Sequence, residues 1–143
     1  MLIRNILEES VRKFDEVKAV KWLKKKEIME RSYGELMENV VSTRKGLLAE
    51  GFEGKHIALI GTSSVEWMES YLGIITGCTT AVPLDAALPC EDLIDLLNRS
   101  DSVALFLSPK LKPYLDAFLE NCPKLQKVWM LQELSLIHIS EPT

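Results

Sequence analysis

The residues of this chain best placed to do chemistry lie in a short turn, Gly61-Thr62-Ser63-Ser64, between an apolar run and a helical pattern. A small, hydroxyl-rich turn at a helix start can hold phosphate, because the first backbone N–H groups of a helix have no internal partner. This turn has one glycine, no following lysine and no G-x-G-x-x-G spacing. Capping of the helix by Ser63 or Ser64 is therefore the reading preferred over phosphate binding. His56 could be an acid–base or ligand histidine, but it opens a strand, where a surface residue is the commoner case. Glu91 and Asp92 could form a metal or acid–base pair; as first-turn carboxylates they are read as facing water and the positive end of a helix dipole. Cys78, Cys90 and Cys122 are odd in number and match no zinc or C-x-x-C spacing, which predicts reduced thiols. No residue is assigned a catalytic, cofactor-binding or metal role.

The elements that would carry these residues are legible from periodicity. Lys55 to Asp85 holds a short apolar run, a turn, a helical pattern and a second apolar run, which together predict a βαβ unit. In its helix Met68, Tyr71, Leu72 and Ile75 follow the i, i+3, i+4, i+7 spacing of one buried face, widened by Trp67 and Ile74. Gly77 is expected to end that helix in the left-handed conformation. Upstream, Ile3, Leu7, Val11 and Phe14 share one helical face. Val20, Trp22 and Ile28 flank a lysine-rich turn and predict a β-hairpin over residues 17 to 31.

Ser32 and Glu35 have the spacing of a capping box. The helix they open aligns Leu36, Val40, Thr43 and Leu47, flanked by Met37, Val41 and Leu48, until Gly51. Beyond Asp85, Pro89 is expected at the first helical position before Leu93, Ile94, Leu96 and Leu97. Ser108-Pro109 opens a further helix with Leu111, Leu115, Phe118 and Leu119 inward, and Val128 to Leu131 reads as a last strand. The resulting expectation is helices near 5–14, 34–50, 64–76, 90–99 and 110–120, with strands near 56–60, 80–84, 103–107 and 128–131. The fold class is α/β: a doubly wound, mostly parallel, Rossmann-like sheet with an N-terminal helix and β-hairpin.

The totals fit one domain with a modest core. The 143 residues are 47% hydrophobic and 27% charged, as in an ordinary globular protein. A net charge of −4 leaves no nucleic-acid footprint, and Lys24-Lys25-Lys26 is too short to supply one. No apolar run approaches the ~20 residues of a membrane span. The start, Met1-Leu2-Ile3-Arg4, has no signal-peptide hydrophobic region, which predicts a cytoplasmic protein.

Three stretches taken together resemble a known family. They are Arg31-Ser32-Tyr33-Gly34-Glu35-Leu36, then Gly61 to Trp67, then Leu72-Gly73 through Gly77 to Ala81-Val82-Pro83-Leu84-Asp85. In order and spacing these resemble the amino-terminal part of the AMP-forming acyl-CoA synthetases, within the adenylate-forming superfamily. The resemblance covers most of residues 3 to 131 and implies the same Rossmann-like layer. Ala81-Val82-Pro83-Leu84-Asp85 followed by Leu88-Pro89, and Leu96-Leu97-Asn98-Arg99-Ser100-Asp101, are most similar to bacterial long-chain fatty-acid ligases.

That resemblance implies a parent enzyme using ATP, Mg²⁺ and coenzyme A to activate a fatty acid. The family's phosphate loop, metal site and adenylation lysine match nothing in residues 1 to 133. The chain is therefore expected to be a truncated part that is itself inactive, binds none of these cofactors and self-associates through uncovered apolar surface. Adenylation of amino or aryl acids, or a free-standing α/β binding module, are the alternatives.

Residues 134–143, Leu-Ser-Leu-Ile-His-Ile-Ser-Glu-Pro-Thr, continue none of these patterns. Back-translated as CTG TCT CTT ATA CAC ATC TCC GAG CCC ACG, they resemble a transposase adapter of sequencing libraries read in frame. The expected division is thus 1–133, part of an AMP-binding ligase domain, and 134–143, a non-native tail in which His138 carries no function.

Overall fold

A computed structural model describes residues 3–14, 18–24, 27–62 and 64–131. The chain runs α1 (Ile3–Phe14), β1 (Lys18–Lys24), β2 (Glu27–Ser32), α2 (Tyr33–Ala49), β3 (His56–Ile60), α3 (Val65–Thr76) and β4 (Thr80–Leu84). It continues through α4 (Cys90–Arg99), β5 (Ser102–Leu107), a 3-10 turn (Pro109–Tyr114), α5 (Leu115–Asn121) and β6 (Lys127–Met130). β1 and β2 form an antiparallel hairpin; the other four strands form one sheet in the order β4-β3-β5-β6. All three pairings in that sheet are parallel. This is the doubly wound α/β layer expected from the pattern of apolar strands and intervening helices.

The sheet separates two cores. On one face Leu47, Phe52, Ile57, Leu59, Ile74 and Phe106 pack together beneath α2 and α3, joined by the half-buried Trp67, Tyr71 and Trp129. On the other, Ala58, Ile60, Leu105 and Leu107 meet Leu93 and Leu97 of α4 and Phe118 of α5. The central strands β3 and β5 are apolar on both faces because both faces are covered, as parallel sheets require. Pro83 can sit within β4 because β4 is an edge strand, where its missing N–H removes no ladder bond.

Local signals set most of the boundaries. Ser32 Oγ accepts from the Glu35 N–H at 3.1 Å while Glu35 Oε1 accepts from the Ser32 N–H at 2.8 Å, a complete capping box. Ser64 Oγ accepts from the Trp67 N–H at 3.0 Å and starts α3. Gly51, with φ +77°, turns the chain out of α2. Asp85 Oδ1 accepts from the Ala87 N–H at 2.9 Å, fixing the turn after β4.

Several expectations need correction. Gly77 is the C-cap of α3 but has φ −92°, so it is not left-handed; Thr79 Oγ1 instead donates to the Ile74 carbonyl at 2.8 Å. Pro89 is the N-cap of α4 rather than its first helical residue. The helix expected from residue 110 begins as a 3-10 turn, because Pro113 lies inside it and lacks the N–H an α-helix needs there. Leu119, expected inward, is 52% exposed, and so is Ile3; Leu48 is exposed as well. The side chains of Leu7, Val11, Phe14, Val20, Trp22 and Ile28, and the whole of residues 132–143 with His138, lie outside the described residues.

The largest correction concerns α3. Its best-covered residues include Glu66, Glu69, Ser70, Gly73 and Thr76, whereas Met68, Leu72 and Ile75 are only half-buried. Trp67, Tyr71 and Ile74 meet the sheet as expected. The polar, small-residue face turns towards α2. A Cβ on Gly73 would come within 2.5 Å of Thr43 Cβ and 3.0 Å of the Val40 carbonyl. The two helix backbones approach closely at that point, which only glycine permits.

Candidate functional site: a buried ion cluster beside a groove

Where α2, α3 and the end of β2 meet, four polar side chains converge. Arg31 Nη2 donates to Glu66 Oε2 at 3.2 Å, and its Nε lies 3.0 Å from Glu69 Oε2. Asn39 Nδ2 donates to the same Glu69 oxygen at 2.8 Å. The side chains of Arg31, Glu66 and Glu69 are all 5% exposed or less. Each is held by a short lever. Arg31 immediately precedes the capping box, so its position is tied to the start of α2. Glu66 and Glu69, three apart on α3, share one helix face.

Two carboxylates thus share one guanidinium out of reach of water. Burial pushes the Glu69 carboxyl up to about 7; the Asn39 amide and Arg31 pull the other way, while Glu66 and Glu35 raise it further. Glu69 Oε1 is buried and has no hydrogen-bond partner among the described residues.

The cluster borders a groove of about 630 Å³ running between α2 and strands β5 and β6. Asn39, Ser42, Gly46 and Glu50 line one wall, Phe106, Lys127 and Trp129 the other, with Glu66 and Glu69 at one end. Lys127 Nζ lies 3.4 Å from Glu50 Oε2 across it, an exposed pair that contributes little.

The sequence reading included Arg31 and Glu66 only within longer motif stretches and assigned no role to them, to Asn39 or to Glu69. A signal was present, since Glu66, Glu69, Ser70 and Gly73 form a polar and small stripe on α3 opposite its apolar one.

The residues weighed from sequence have simpler positions. Ser64 caps α3. A Cβ at Gly61 would meet Leu131, Ser108 and Trp67 side chains at 3.0–3.4 Å, so the turn is packed rather than cradle-shaped. Ser63 lies outside the described residues. His56 is exposed and its Nδ1–H donates to the Ser100 carbonyl at 2.7 Å, a strand-end contact. Glu91 and Asp92 are exposed in the first turn of α4. Cys78 is exposed, Cys90 half-buried and Cys122 buried, all as free thiols. Among the described residues no group of three or more His, Cys, Asp or Glu side chains is placed to hold a metal ion. No helix among them is long and apolar enough to cross a membrane.

The family model described as "AMP-binding enzyme" matches residues 7–140. The chain belongs to this family of AMP-binding enzymes. Solved structures sharing the fold of this chain include a coronafacic acid ligase from Pectobacterium brasiliense. Its TM-score is 0.82 at 20% identity, over 91% of this chain and 25% of that one. The N-terminal domain of FACL13 from Mycobacterium tuberculosis also scores 0.82, at 18% identity over 95% of this chain and 35% of that one. The anthranilate CoA ligase AuaEII in complex with anthranoyl-AMP scores 0.79, at 19% identity over 98% and 27%. The chain therefore spans about a quarter to a third of the length of these structures. A comparison with curated proteins finds no match.

Proposed function

We propose that this chain is the first α/β layer of an AMP-forming acid–thiol ligase and that its role there is to scaffold, not to catalyse. The match of residues 7–140 to the AMP-binding family carries this reading. In the proposed reaction a carboxylate oxygen attacks the α-phosphorus of ATP and pyrophosphate leaves. The thiol of coenzyme A then attacks the acyl carbon, AMP leaves, and the thiol proton goes to solvent. Fatty acids are the favoured substrates, on the wording of Ala81 to Asp85, Leu88-Pro89 and Leu96 to Asp101. The fold shared with an anthranilate CoA ligase supports aryl acids as the second reading. The parent is proposed to act in the cytoplasm.

Among the described residues, the turn at Gly61 and Ser64 offers no cradle for a phosphate of ATP. The Ser64 hydroxyl is engaged by the Trp67 N–H, and side chains fill the space around Gly61. No step is therefore routed through these residues, and the 143-residue chain is expected to show no carboxylate-dependent exchange of pyrophosphate into ATP. Clear exchange by the pure chain would overturn the scaffold reading. The protein from the complete reading frame, assayed for AMP release with coenzyme A and a panel of acids, tests the rest. Release with aryl or amino acids alone would replace the substrate, and no release with any acid would remove the reaction class. In isolation the chain is proposed to self-associate through the half-exposed Met68, Leu72 and Ile75 of α3.

Residues 134–143 are proposed to be non-native. The family match extends to residue 140, so this rests on the likeness of the ten-residue sequence to a translated adapter. Deleting the ten residues is expected to change the unfolding free energy by less than about 0.5 kcal/mol. A larger loss in urea denaturation would contradict it.

A further inference from the structure

We draw no further inference here: the strongest candidate, the surface patch formed by the exposed Ile3 and Ile6 of α1 and Leu48 of α2, carries nothing, because nothing in the structure shows what covers it.

Discussion

Replacing Arg31 with methionine is expected to destabilise the fold by about 3–5 kcal/mol at pH 8, because it strips the shared cation from two buried carboxylates. The loss should shrink at pH 5.5. The Glu69 carboxyl titrates at about 7 in the folded chain against an ordinary value of 4.5. Folding therefore takes up a proton between those limits. Its contribution to stability is fully present below about 4.5 and is lost as pH rises through about 7. At pH 5.5 Glu69 is already neutral, so losing Arg31 no longer leaves a buried charge on that carboxyl. The Arg31→Met, Glu69→Gln double variant should recover part of the loss at pH 8, since the neutral amide needs no cation. Urea unfolding of the three proteins at both pH values decides this. A loss below about 1 kcal/mol at pH 8, or one that does not vary with pH, would show that the cluster is not the buried electrostatic unit described here.

Gly73→Ala is expected to cost about 1–3 kcal/mol, although alanine in a helix interior is intrinsically favoured over glycine by about 1 kcal/mol. The new Cβ would lie 2.5 Å from Thr43 Cβ, at the root of that side chain, and 3.0 Å from the Val40 carbonyl, which is backbone. Neither can swing aside, so α2 and α3 must separate. That separation would also loosen the Asn39–Glu69 hydrogen bond, which joins the same two helices. Thr43→Ala should not rescue the variant, since its Cβ remains, whereas Thr43→Gly should restore part of the loss. Thermal unfolding of the single and double variants is the measurement. Gly73→Ala as stable as the parent would mean that the helices do not meet as closely as the geometry states.

Most of the fold was legible in the sequence because its determinants are local. The capping box at Ser32 and Glu35, the Ser64 cap, Gly51 and the short apolar strands act within a few residues of themselves, and they recover the order and type of nearly every element. Parallel pairing followed from the alternation of strands with helices, since a chain returning through a helix re-enters the sheet in the same direction. Where a local rule failed, another local feature overrode it, as Pro113 did for the start of the last helix. Periodicity located the apolar stripe on α3 but not its neighbour. Met68, Leu72 and Ile75 are spaced like a buried face, yet the absence of a side chain at Gly73 draws α2 onto the opposite, polar face. The carboxylates of Glu66 and Glu69 are then buried against Arg31, which is 35 positions from Glu66 in sequence. The sequence determined which elements form and in what order. The tertiary structure alone decided which faces meet, because burial belongs to pairs of surfaces, and an ion cluster or a groove exists only where distant segments are brought together.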